Sequence, residues 1–390
     1  MDMGILAYFS IAFFATGILL VVLDIVKERF YPYLIFASGL LLLYATTLQG
    51  AGIVGTDASV EFLVSQLAKD QGWNLLMNFS SSNTSLLIGW IMPQLSNLTH
   101  IELTWLYKTI PPLIFAFAPV LLYLVFRKQI GDKRAFYATA FFISVPTFFT
   151  EIATINKSMV AETLMALVIW IIFSSWRGQI KAVSILFLTG LTMWVHYTIG
   201  FILIAYMLCM MIFILLSKIN WLQLKQSIPF YTIAITVVIS LVLGYLYFSY
   251  ASEGRVVYNI TSAIKAKVSH ISTGNLVESN NSVINMGLGL DFTRASFYGK
   301  AFRILQYFTQ LLIVTGSIWL LLKYRKCYNF RAEFIGGVFG ACCILALCII
   351  IPTFANVLNS ARWYHLSLFF LAPMFILGCD AITNSVQQRR

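Results

Sequence analysis

Asp57 and Glu61 stand four residues apart in Gly55-Thr56-Asp57-Ala58-Ser59-Val60-Glu61-Phe62. On a helix that spacing puts both carboxylates on one face. Thr56 or Asp57 can cap such a helix, which would run on through Lys69. A paired carboxylate can take a proton from a substrate hydroxyl or hold a divalent cation. The plainer alternative is a capping Asp and a solvated Glu. A second cluster, Glu151 with Lys157 and Glu162, lies in Phe149-Thr150-Glu151-Ile152-Ala153-Thr154-Ile155-Asn156-Lys157-Ser158-Met159-Val160-Ala161-Glu162. Here the competing reading is a Glu–Lys pair that staples a turn. Glu162 falls about one turn inside the next helix, a costly depth at which an ionisable group usually faces a polar cavity. His196, in Trp194-Val195-His196-Tyr197-Thr198, could position a substrate or simply be a satisfied structural group. Arg362 and His365, in Asn359-Ser360-Ala361-Arg362-Trp363-Tyr364-His365, could form a phosphate clamp, because the planar guanidinium fork suits phosphate oxygens. They could equally anchor a helix end among aromatic neighbours.

Membrane spans must position these residues. Of 390 residues, 59% are hydrophobic and 11% charged, and the mean hydropathy is +0.84. A soluble domain carries roughly a quarter charged residues, so there is too little polar surface here to coat a water-soluble particle. Apolar runs near the length that crosses a hydrocarbon core recur from end to end. They are continuous rather than alternating, which selects helices over a barrel. The runs fall at about 3–26, 31–50, 105–126, 135–150, 159–176, 182–195, 197–217, 228–249, 303–322, 334–351 and 363–380. The expected fold is therefore an all-α, polytopic membrane bundle of about eleven transmembrane helices, a single transmembrane domain over 1–390. The first segment ends in Lys27-Glu28-Arg29 rather than a small-residue cleavage site, so it reads as a retained helix.

Lys27/Arg29, Arg127/Lys128/Lys133/Arg134, Arg177/Lys181, Lys218/Lys225, Lys323/Arg325/Lys326/Arg331 and Arg389/Arg390 fall at alternate ends of successive spans. One orientation places every short basic loop in the cytoplasm. That accounts for the net charge of +11 without nucleic acid as a partner. It leaves a first external loop at 51–104, with surface helices, and a second at 250–302. It also brings Asp57, Glu61, Glu151, Lys157, His196 and Arg362 to one external face. The second loop mixes Arg255, Lys265, Lys267, His270, Arg294, Lys300 and Arg303 with Glu253, Glu278 and Asp291, and reads as a partly ordered, solvated cap. Asn-x-Ser/Thr triplets at Asn78, Asn83, Asn97 and Asn259 carry little weight. The six cysteines nearly all sit in or beside apolar spans, without metal-ligand spacing. No nucleotide-binding loop, HExxH or nucleophile elbow occurs.

These residues give the chain a family likeness. It resembles the GT-C superfamily of integral-membrane glycosyltransferases, and more closely a poorly characterised family of multispanning GT-C-like proteins of archaea and bacteria. The matching pieces are Asp57-x-x-x-Glu61-Phe62, Tyr123 to Gly131, Phe141 to Glu151, His196-Tyr197-Thr198 and Arg362 to Pro373. They run in the expected order over roughly residues 50–380. The chain departs from the pattern by an extra span before the usual first one, by lacking a soluble C-terminal domain, and by Lys157 where an Arg is usual. The resemblance implies a polyprenyl-phosphate sugar donor, an acceptor that is a glycan, lipid or protein, and catalysis on the external face of a prokaryotic plasma membrane. With that substrate, Asp57 is the first choice of base, and Glu61 and Glu151 follow. Arg362, with Lys157, His196 and His365, would bind the substrate. A divalent cation held by Asp57 and Glu151 is an open alternative. The rivals are a polysaccharide polymerase or ligase using a polyprenyl-pyrophosphate donor, leaning on Arg255, Arg294 and His270, and a lipid-linked sugar transporter.

Overall fold

The computed structural model describes residues 3–76, 80–217, 224–258, 261–262, 265, 292, 296–327, 330–350 and 358–387. Asn78, Lys218, Asn259, Lys267, His270, Glu278, Asp291, Arg294, Arg389 and Arg390, named above, lie outside the described residues, as does most of the second long loop.

The apolar runs fold as helices because a spanning backbone must satisfy its own hydrogen bonds. In chain order these are α1 (Met3–Val22), α2 (Tyr31–Thr47), α3 (Thr56–Gln71), α4 (Met92–Thr99), α5 (Leu103–Phe115), α6 (Phe117–Ile130), α7 (Asp132–Ser144), α8 (Pro146–Phe149), α9 (Asn156–Phe173), α10 (Gly178–Val195), α11 (Tyr197–Leu216), α12 (Phe230–Tyr250), α13 (Phe297–Cys327), α14 (Ala332–Ile350) and α15 (Ser360–Gln387). Among the described residues, ten helical stretches are long and apolar enough to cross a membrane. The bent pair of α7 with the segment Pro146–Thr154 makes eleven. The molecule is a polytopic helical membrane bundle.

α9 is its most enclosed span and packs on α5, α6, α10 and α11. α15 lies against α13, α14 and α7. One connected apolar core runs from Val21 to Leu377. α1 sits at the periphery, packed mainly on α2.

Two departures from regular helix position the candidate site. α5 and α6 cross as one stretch, Leu103–Ile130, despite Pro111 and Pro112. The run at 135–150, by contrast, bends by 63° before Pro146. Proline disfavours the helical conformation in the residue before it, and Val145 is extended, with φ −67° and ψ 124°. The bend turns Glu151 back over the bundle. Between α10 and α11 the chain breaks at His196, whose φ of −151° and ψ of 101° are extended. Gly200 makes the sharp junction feasible, since a Cβ there would stand 2.7 Å from the Met193 Cα.

The two ends of the bundle are chemically opposite. At one end, basic residues from separate loops meet. Lys133 pairs with Asp24 at 2.5 Å, and Arg134 with Asp380 at 2.7 Å. Lys128 donates to the Phe173 carbonyl, and Lys181 to those of Ile172, Ser174 and Ser227. Cations on the last carbonyls of α9 satisfy acceptors that have no partner within the helix. Arg331 donates to Ser227 Oγ, and the Glu333 carboxylate accepts the Ser227 and Ile228 N–H groups. The alternation of basic loops read from the sequence thus corresponds to a real clustering at one end. α3, at 16 residues, belongs to the opposite end and is not among the stretches fit to cross.

Candidate functional site

At that opposite end, the start of α3, the turn after α8, the start of α9 and the start of α15 converge. Gly55 sets the entry to α3. It is the residue before the helix, with φ +101°, a conformation other residues adopt only with strain. A Cβ there would also lie 2.5 Å from the Thr154 Cβ, so only glycine lets the two segments touch. Thr56 and Asp57 are therefore first-turn residues, not the side-chain cap expected from their types. Glycine's backbone freedom, rather than a capping oxygen, sets the start of the helix. A carboxylate in the first turn still gains from the helix dipole.

Asp57 and Glu61 do share a side of α3, but their environments differ. Glu61 is fully buried. One of its oxygens accepts the Asn156 N–H at 2.9 Å, and the other lies 3.7 Å from Lys157 Nζ. Burial raises the Glu61 pKa above the ordinary carboxylate range, while Lys157 and the Asn156 N–H pull the other way. Glu61 thus joins α3 to the N-terminus of α9, where unpartnered N–H groups favour an anion. Enclosed in this way, Glu61, one of the carboxylates considered as a base, faces α9 rather than open solvent. Tyr107 reinforces it by donating to the Glu61 carbonyl at 3.2 Å and hydrogen-bonding Ser65. Asp57, by contrast, has 54% of its side chain exposed and lies 3.3 Å from Arg362 Nη2.

Arg362 organises the outer layer. Its Nη2 faces Asp57, and its Nε faces Glu151 Oε2 at 3.8 Å. The Glu151 carboxylate also accepts a 3.1 Å hydrogen bond from Asn359 Nδ2. The turn therefore does not close by a Glu151–Lys157 pair. Glu151 reaches α15, while Lys157 reaches Glu61 and donates to Ser82 Oγ at 2.8 Å. Asn359 is the residue missed at first. Its Oδ1 accepts the Ala361 N–H at 3.3 Å, the behaviour of a helix cap, and an Asn just before a helical run is its sequence signal.

His196 is buried at the α10–α11 break. Burial first, and then the charges of Lys157 and Arg362, push its pKa well below 6.5. It belongs to the same charged neighbourhood as a neutral imidazole. A neutral native His and an unfolded one of ordinary pKa give a definite sign. The native state binds fewer protons, so this contribution to stability is complete above pH 6.5 and is lost as pH falls below it. Melting curves at pH 8 and pH 5 should show a smaller acid-induced loss in His196→Gln than in the parent chain. An unchanged loss would separate His196 from the acid response.

His365, expected to touch substrate, is one turn deeper. It is fully buried, with Nδ1 3.5 Å from Glu162 Oε2, and Glu162 is fully buried too. Phe142, Phe148 and Phe369 surround the imidazole. Glu162 therefore faces a histidine and aromatic rings, not the polar cavity its depth suggested. Asn83, in one of the Asn-x-Ser/Thr triplets, is buried and donates to the Asn74 carbonyl, so its amide is not available at the surface.

The cation alternative can be tested on geometry. Asp57 and Glu151 both face the Arg362 guanidinium, so that cation already takes the position between them that a divalent ion would need. Among the described residues no group of three or more His, Cys, Asp or Glu side chains could hold a metal. The donor set does not fit a resident cation.

Several buried polar nitrogens are left over, two of them beside the charged cluster at this end. Arg362 Nε and His196 Nδ1 are buried and have no hydrogen-bond partner among the described residues. Buried donors and acceptors are nearly always satisfied, so such orphans call for an explanation. The arrangement can bind an anion at the guanidinium and accept a proton at the exposed Asp57.

No curated protein matches the chain. A family model matches residues 181–389, just over half of the sequence, from α10 through α15. That region contains His196, Arg362 and His365 but not the acidic residues of α3 and the α8–α9 turn. On this match the chain belongs to the family described as Predicted membrane protein (DUF2206).

Proposed function

We propose that the chain is a membrane glycosyltransferase that moves a sugar from a polyprenyl-phosphate donor to a hydroxyl of a glycan, lipid or protein acceptor. The site would face the exterior of a prokaryotic plasma membrane, opposite the basic loops. The observation that carries the reading is the Arg362 guanidinium, its Nε buried and without a hydrogen bond, beside the exposed carboxylate of Asp57. Donor phosphate and acceptor hydroxyl need just these two groups.

In the proposed step the acceptor oxygen attacks the anomeric carbon as the bond from that carbon to the phosphate oxygen breaks. Asp57 takes the hydroxyl proton. The leaving phosphate carries away the electron pair, and Arg362 and Lys157 stabilise its charge. A single displacement inverts the anomeric configuration. Glu151 and Asn359 orient the guanidinium, Glu61 holds α3 against α9, and His196 supplies a neutral hydrogen-bonding group to the substrate. No step is assigned to a metal.

A transporter reading draws support from the intramembrane Glu162, but His365 faces that carboxylate. The discriminating experiment incubates purified protein in nanodiscs with polyprenyl-phosphate sugars labelled in the sugar, and with candidate acceptors. Label should leave the lipid only when the protein is present. Arg362→Lys should lower the rate on the order of 10²-fold, as for loss of one oriented transition-state donor, because an ammonium keeps the charge without the planar fork. Transfer from pyrophosphate-linked oligosaccharide alone would favour a polymerase. Movement of intact lipid-linked sugar across the bilayer without bond cleavage would favour the transporter.

A further inference from the structure

At the basic end, remote from the proposed catalytic residues, a cleft of about 530 Å³ opens between α1 and α2. Phe13 lines it from α1, Tyr33, Leu34 and Ala37 from α2, and Ile25 and Val26 from the link between them. Lys27, Arg29 and Phe30 complete its lining. We propose that this cleft is a binding site for one anionic glycerophospholipid, with its phosphate headgroup on Lys27 and Arg29 and an acyl chain along the apolar wall.

Three observations favour that occupant. The first is depth. Phe13 stands about nine residues from the end of α1 and Ala37 about six from the start of α2. At 1.5 Å per residue the cleft reaches roughly 9–13 Å into the helical layer, the depth of a headgroup and the upper part of an acyl chain. The second is charge. Both charged residues of the lining, Lys27 and Arg29, are cations. Asp24, the nearby acid, is engaged by Lys133 at 2.5 Å, and Glu28 is exposed and is not part of the lining. The Arg29 guanidinium rests 4.8 Å from the centre of the Phe30 ring, a cation–π contact that holds it at the mouth. The third is the wall itself. Ile25 is 62% and Tyr33 72% exposed, so no part of the described chain covers these side chains. Tyr33 has the amphipathic character of residues at the headgroup level. A peripheral helix held mainly by α2 gains a second contact if a lipid wedges between the two.

The test uses the full chain, delipidated in mild detergent, with native mass spectrometry against phosphatidylglycerol and phosphatidylcholine. One phosphatidylglycerol should be retained in preference to phosphatidylcholine. Lys27→Gln with Arg29→Gln should weaken that retention roughly thirtyfold, from about 1 kcal/mol per basic residue near an anionic surface. The matched control, Arg177→Gln with Lys225→Gln, removes two exposed cations from the same end, outside the cleft, and should retain the lipid. Ala37→Phe, which fills the cleft without touching its charge, should also reduce retention. Size-exclusion profiles identify any variant that fails to fold, and Ala37→Phe then decides. Equal retention of the two lipids, equal losses in both double variants, or a second copy of the chain in place of lipid would each overturn the assignment. None of these outcomes depends on glycosyl transfer.

Discussion

Asp57→Asn should abolish nearly all sugar transfer while leaving the protein folded and inserted. The amide keeps the side chain's shape and one acceptor oxygen, so it can still face Arg362. It cannot take a proton at neutral pH. General-base catalysis is typically worth about 10²- to 10⁴-fold, and the loss should fall in that range or beyond. Stability should change little. Asp57 is half exposed, and losing a carboxylate from the first turn of a surface helix costs about 0.3–1 kcal/mol. Asp70→Asn, exposed at the far end of the same helix, removes one carboxylate from the same element and should transfer at the parent rate. The measurement is initial rate with a polyprenyl-phosphate sugar, alongside melting temperature. Parent activity in Asp57→Asn would remove that residue as base. Glu151 would then be the next candidate, because Glu61 is enclosed by Asn156 and Lys157.

The contrast between Asp57 and Glu61 marks how far the sequence could be read. Their spacing placed both on one side of a helix, and the helix is there. Which of the two faces water depends on how α9 approaches α3, a tertiary relation that a four-residue interval does not encode. The spans were legible because a hydrocarbon core demands length and apolarity, and both can be counted. The gathering of Asp57, Glu151 and Arg362 at one end followed from the alternation of Lys and Arg between spans. The pairing within that end did not follow. Glu151 and Lys157 are close in sequence and looked like partners. The bend before Pro146 turns Glu151 toward Asn359 and Arg362 instead, and the first turn of α9 gives Lys157 to Glu61. Gly55 carried a readable signal, a glycine just before a helical run. Its reason, contact with Thr154, is a long-range one.

Glu162 and His365 should behave as a structural pair, and the expected effect is large. Both side chains are fully buried and 3.5 Å apart, within aromatic surroundings. Removing one partner leaves a polar group stranded among rings. Such losses run to about 3–5 kcal/mol. Glu162→Ala and His365→Ala should each lower resistance to unfolding by that amount, measured by SDS titration in mixed micelles. Removing both is different in kind. Replacing both partners of a buried polar pair by apolar side chains of similar shape is often neutral or stabilising, so Glu162→Leu with His365→Phe should recover most of what either single change loses. The two changes should therefore be strongly non-additive, as expected of groups in direct contact. Transfer activity adds a second axis. Arg362 precedes His365 by three residues on α15, so its Cα is fixed by a helix turn whether or not the imidazole is present. The folded double variant should then retain transfer within about tenfold of the parent, since helix packing alone carries the guanidinium. A double variant that is as stable as the parent but inactive would show that the pair contributes chemistry rather than packing. Full stability in either single variant would mean that Glu162 and His365 do not depend on each other, and the intramembrane carboxylate would then need another partner.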